Sequence, residues 1–198
     1  MSILFELPYW KVLKLHHNID VMHTLKNIFE NLFGTMLNIE GKTKGTYKAR
    51  LDLQDMNIRP KLHLQLKNDK YVKPTANYTL SRKEYFEFFK SIRFPDSFAS
   101  NISRYVNVDN CKVSRLKSHD CYVLLQKILP IRIRGYLNTD IQNVVIELIG
   151  FFQSLCSQTL RMDDLKELEK QIKLVLSKLE MIFSPTFFVI MLHLAVPY

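Results

Sequence analysis

Two short segments of this 198-residue chain place an acid and an imidazole close enough to cooperate. In Asp20-Val21-Met22-His23 they stand three residues apart, one helical turn, where a loop gives way to an amphipathic pattern. A carboxylate so placed can fix the tautomer of the ring or touch a metal site beside it. The competing role is structural: Asp20 caps the helix by accepting N–H bonds while His23 packs in the first turn. Ser118-His119-Asp120 opens another helix, and Asp120 is an acidic candidate for metal ligation, again against capping. The candidate catalytic residues are thus Asp20, His23 and Asp120, and the candidate metal ligands Asp20 and Asp120. Zinc is rejected on ligand count, because His16, His17 and His23 have no cysteine pair or second histidine pair to complete four donors.

Around these residues the charge is unevenly spread. The net charge of +9 divides into 3 basic and 4 acidic side chains over residues 1–40, 20 and 8 over 41–134, and 5 and 7 over 135–198. The whole positive excess sits in the middle, which points to a polyanion-facing region, since nucleic-acid affinity is largely phosphate neutralisation. Candidate DNA-binding residues there are Lys42, Lys44, Lys48, Arg50, Lys70, Lys73, Arg104, Lys112, Arg115 and Lys117, interleaved with Tyr47, Tyr71, Tyr78 and Tyr105. Such interleaving suits backbone contacts plus stacking on bases or sugars, and it is also ordinary for a solvated basic surface. With five glycines, the chain carries no phosphate-binding glycine loop, no Gly-x-Ser-x-Gly elbow and no kinase signature. Cys111, Cys121 and Cys156 are odd in number and widely spaced, so neither a disulfide framework nor a Cys-x-x-Cys metal site is expected, and a reducing compartment fits. The amino-terminal residues lack a signal peptide's basic start, and no apolar run approaches the ~20 residues of a membrane span.

The elements that must position the chemistry read as mainly α with minor β, in three segments: 1–40 with a first helix, a basic mixed region over 41–134, and a helical hairpin plus an apolar helix over 135–198. The first helix starts near Asp20 and ends near Gly34 or Asn38, with Val21, Leu25, Ile28, Leu32 and Met36 inward and Lys26, Asn27, Glu30 and Asn31 outward. A turn over 41–45 leads to a shorter helix over 46–56, then to extended pieces at 62–66 and 77–80. Ser81 with Glu84 forms a capping box for a helix that must stop before Pro95. Residues 101–113 fit two short strands turning at Asp109-Asn110, and a helix from Ser118 is broken at Pro130 and Gly135. A helix from Thr139 and another from Asp163, with Leu165, Leu168, Ile172, Val175, Leu179 and Ile182 three and four apart, make an antiparallel hairpin. Residues 185–196 are apolar almost all round, as in a buried helix.

Ordered segments of the chain resemble the transposase of plant CACTA (En/Spm-type) DNA transposons. The resemblance rests on Glu6-Leu7-Pro8-Tyr9-Trp10-Lys11, Asp20-Val21-Met22-His23 with the helix after it, and Leu37-Asn38-Ile39-Glu40-Gly41-Lys42. It continues in Phe94-Pro95-Asp96, Leu116-Lys117-Ser118-His119-Asp120-Cys121, Leu129-Pro130-Ile131-Arg132 and His193-Leu194-Ala195-Val196. It implies a nuclear protein and a helical, insertion-type region of a ribonuclease-H-like enzyme, truncated at both ends. In the parent, three carboxylates hold two Mg2+ ions, and Asp20-x-x-His23 resembles the signature between the second and last of those acids. The first acid is then expected upstream of Met1 and the last downstream of Tyr198, leaving this chain to bind DNA without cutting it alone. A second reading is a transposon-derived interaction module, self-associating or docking on a missing domain through residues 185–198, with Phe187 and Met191 as contacts.

Overall fold

The structure, a computed structural model, describes residues 20–90, 106–107, 112–113, 116–157 and 159–193. The first helix, α1 (Val21–Met36), starts where Asp20 accepts the backbone N–H groups of Met22 at 2.9 Å and His23 at 3.2 Å. It ends as Asn38 turns left-handed at φ 48°, a conformation that asparagine tolerates. Leu25, Ile28, Leu32 and Met36 are buried as their spacing predicts, and Phe29 and Phe33 widen the stripe. Two side chains differ from the pattern. Val21 is exposed at the frayed first turn, whereas Asn31 is buried, because its Nδ2 donates to the carbonyl of Phe187 at 2.6 Å and so replaces water.

Helix α2 (Tyr47–Asp55) is capped by Thr46, whose hydroxyl accepts from Ala49 N–H. A 3-10 turn (Pro60–Leu62) follows, then an antiparallel ribbon of β1 (Gln65–Lys67) and β2 (Lys70–Val72). Its turn residues, Asn68 and Asp69, both have positive φ, the requirement of a two-residue turn whose twist matches the strands. The stretch 77–80 is no strand. Thr79 N–H bonds back to Ala76, and Leu80 N–H reaches Met36 of α1, so the segment turns and docks on the helix end. In α3 (Arg82–Lys90) the capping box forms as predicted: Ser81 N–H donates to Glu84 at 2.7 Å and Glu84 N–H to the Ser81 hydroxyl at 3.3 Å. The short strands β3 (Val106–Asn107) and β4 (Lys112–Val113) pair antiparallel, and the Asp109-Asn110 turn lies outside the described residues.

Pro130 does not break its helix. The chain runs α-helical in α4 (Ser118–Val123), passes through a π-helical stretch (Leu124–Ile128), and resumes in α5 (Leu129–Arg132). The wider π turn resets the hydrogen-bond register so that Pro130 falls in a first turn, where its missing N–H is no loss. Helices α6 (Thr139–Leu155) and α7 (Met162–Ile182) form the expected antiparallel hairpin. Leu168, Ile172, Val175 and Leu179 are buried in it, Leu165 is exposed beyond the end of α6, and Lys178 bridges back to Glu147 at 2.7 Å.

The apolar run from 185 differs most from expectation. Among the described residues it forms a 3-10 turn (Pro185–Phe187) and then, after a non-helical step, a helical stretch, α8 (Ile190–His193). Phe187 and Leu192 are buried while Ile190 is 68% exposed, so apolarity all round does not mean burial all round. Phe187 stacks on Phe183 at 4.1 Å, which occupies it inside the chain and removes it from any docking surface. One core cluster runs from Leu25 of α1 to Leu192 and draws on all three segments.

Candidate nucleic-acid interface

The three residues singled out for catalysis are held by helix starts. Asp20 spends its carboxylate on two N–H groups of α1, and Asp120, 8% exposed in α4, accepts Lys117 N–H at 2.9 Å. These are the capping bonds, each of which neutralises part of the positive end of a helix. His23 is exposed and lines a groove of about 500 Å³ with Glu30, Lys42, Lys44 and Ile190. The structure thus brings His23 to two of the basic candidates, and neither Asp20 nor Asp120 lines that groove. Among the described residues no three His, Cys, Asp or Glu side chains converge. Those residues do not make up the converging acidic set that a pair of Mg2+ ions requires.

The basic candidates divide by environment. Lys48, Lys70 and Lys117 are exposed and Lys44 is half-buried, and none of the four has an ion-pair partner among the described residues. Lys61 and Lys67 share that condition. Lys42 is paired with Glu30 at 3.3 Å, close under α1. Arg50 is a correction: it is 2% exposed and cannot reach a nucleic-acid backbone, because it falls on the inner face of α2 with Ala49 and Leu53. Lys73 is half-buried and donates to Asn38 Oδ1 at 3.0 Å and Gly45 O at 2.8 Å. Arg104 and Arg115 lie outside the described residues, and Lys112 is described only as backbone of β4.

The ribbon is the most exposed basic element. Every residue of β1 and β2 is exposed, Lys67 stands directly across the ladder from Lys70, and Leu66 stands across from Tyr71, each 62% exposed. Like charges facing each other across a ladder are destabilising, and a two-stranded hairpin is marginal even without that repulsion. A ribbon of this width fits the major groove of duplex DNA, and Tyr71 offers a ring for stacking.

Arg59, Lys73 and Tyr78 lie close to Arg50, a grouping that sequence spacing did not single out. Arg59 donates from both terminal nitrogens to the carbonyls of Phe183 and Glu180, tying the basic region to the end of α7. Burial lowers the Arg59 guanidinium and the Lys73 amine from their ordinary values, and the charge of Arg50 lowers both further. Burial raises the Tyr78 phenol, against which Arg50 acts. The available signal was the position of Arg50 one turn before Leu53, on the apolar stripe of α2.

A family model described as Domain of unknown function (DUF4218) matches residues 155–198, a stretch that spans α7 and the turns after it. That domain is found in plant transposase-related proteins. No curated protein and no solved structure matches the chain. Among the described residues no helix is long and apolar enough to cross a membrane.

Proposed function

We propose that the chain is the DNA-binding, helical part of a CACTA-type transposase, acts in the nucleus, and does not cut DNA by itself. The observation that carries this reading is the juxtaposition of Lys67 and Lys70 on a ribbon exposed on both faces. Two ammonium groups held across one ladder repel each other in water and are relieved by an apposed phosphate backbone. Lys61 before the ribbon and Lys48 on α2 are likewise exposed and have no ion-pair partner among the described residues. By contrast, three of the five ion pairs among the described residues, Lys170–Glu167, Lys173–Glu169 and Lys178–Glu147, lie in the carboxy-terminal hairpin, where they cancel charge. Support also comes from the ordered sequence resemblance and from the matched domain at residues 155–198.

The test is fluorescence anisotropy of a labelled duplex across a salt series, comparing wild type with Lys67→Glu/Lys70→Glu and with Lys170→Glu/Lys173→Glu on the far hairpin. Removing two phosphate contacts is expected to flatten the slope of log K against log salt by about 2, and the hairpin pair to leave it unchanged. Equal slopes for wild type and the ribbon variant would sink the reading.

A further inference from the structure

We infer that the pocket around Arg50 is a binding site for a single phosphate-class oxyanion. Arg50 is 2% exposed, its Nε and Nη1 are buried without a hydrogen-bond partner, and the buried hydroxyl of Tyr78 lies within reach of the same guanidinium. Arg50 and Tyr78 line a partly enclosed pocket of about 90 Å³ together with Lys73, Thr35 and Thr43. That is room for about three waters at ~30 Å³ each, or for one tetrahedral anion.

The chemistry of the lining selects the occupant. Thr35 Oγ1 accepts Lys44 N–H and Thr43 Oγ1 accepts Gly45 N–H, both at 3.1 Å, so each hydroxyl has its own proton left to donate. Lys73 reaches only neutral acceptors, and neither it nor Arg50 has a carboxylate partner among the described residues. The side chains named are all able to donate, and two of them are cations. Water must donate as often as it accepts and so answers such a set poorly, whereas an oxyanion only accepts. A buried guanidinium without a counter-charge is strongly unfavourable, and the anion removes that penalty. The site stands apart from the DNA-binding reading, because the ribbon lysines do not line it.

The experiment is a thermal-shift and calorimetric titration of the full chain with inorganic phosphate, against chloride at matched ionic strength. For wild type the melting temperature is expected to climb by a constant increment per tenfold phosphate once the site saturates. Arg50→Met is expected to melt above wild type in chloride, having lost a buried unpaired charge, and to show no phosphate response. Lys73→Met and Tyr78→Phe are expected to weaken phosphate binding at least tenfold, and they carry the test if Arg50→Met does not fold. The ribbon variant Lys67→Glu/Lys70→Glu is expected to bind phosphate as wild type does, even if the DNA reading fails. A 5′-phosphorylated oligonucleotide that outcompetes its 5′-hydroxyl twin in wild type identifies a nucleic-acid end as the source; equal competition identifies free phosphate. No saturable phosphate response in wild type, or one kept in full by both Lys73→Met and Tyr78→Phe, overturns the site.

Discussion

Replacing Gly34 by alanine is expected to destabilise the protein and replacing Gly150 to stabilise it, although both glycines lie within long helices. Helix propensity alone favours alanine at both by ~0.5–1 kcal/mol. A Cβ on Gly150 meets nothing within 4 Å, so that gain is realised and the melting temperature rises by about 1–4 °C. A Cβ on Gly34 stands 2.8 Å from Lys42 Cβ and 3.0 Å from Lys42 O. The Lys42 backbone cannot easily withdraw, because its N–H is bonded to Ile39 at 3.0 Å and Lys44 N–H is bonded to Thr35 on α1 itself. Overpacking costs ~1–3 kcal/mol, and a backbone neighbour puts the cost at the upper end, so the net loss is about 2 kcal/mol. At ~2–4 °C per kcal/mol for a chain of this size, Gly34→Ala melts about 4–8 °C below wild type. Urea unfolding followed by circular dichroism at fixed m-value measures both variants. A Gly34→Ala protein as stable as Gly150→Ala would refute the packing of the 39–45 turn against α1.

The capping roles of the two carboxylates are separable from any catalytic role by denaturation midpoints. Asp20→Ala is expected to cost ~1 kcal/mol while Asp20→Asn costs only a few tenths, because an amide oxygen also accepts the Met22 and His23 N–H bonds; equal losses would contradict the cap. At Glu84 the two bonds with Ser81 hold the carboxyl below its ordinary 4.5. Its contribution is thus present above that value and lost as pH falls through the lowered one, so the stability gap between wild type and Glu84→Gln is expected to close on acidification; a gap constant down to pH 2 would oppose this. Burial is the main cause that pushes the Cys121 thiol up to about 12, and the group is fully enclosed in α4. Cys121 is expected to react with a thiol reagent at pH 8 only at the rate of unfolding, and labelling independent of added urea would show an open site instead.

The helices and their inner faces were legible because their signals are local and mutually consistent. Asp20 before an apolar stripe, Ser81 with Glu84, and Leu168 to Leu179 at three and four all predict what forms. What escaped is decided by partners far along the chain. Nothing near Asn31 announces that Phe187 will accept its bond, and nothing near Arg59 explains its left-handed φ of 52° until its guanidinium is seen holding the end of α7. Pro130 misleads because periodicity assumes one helical register and the π stretch supplies another. At the candidate site, charge counting located the basic middle correctly but treated all its lysines and arginines as surface. Reading Arg50 against the stripe of Ala49 and Leu53 separates a buried cation from its exposed neighbours.

The bond from Asn31 to Phe187 also sets a schedule for the growing chain. Its two ends are 156 residues apart, and a ribosome adding ~5–20 residues per second needs about 8–30 s to make the second after the first. Throughout that interval Asn31 has no Phe187 carbonyl to accept its bond, although Phe88 and Phe89 reach Phe33 on the same helix much earlier. The nascent protein therefore carries an amphipathic helix with one polar group of its inner face unpaired until Phe187 is added, and chaperone occupancy during translation is expected to include residues 25–36.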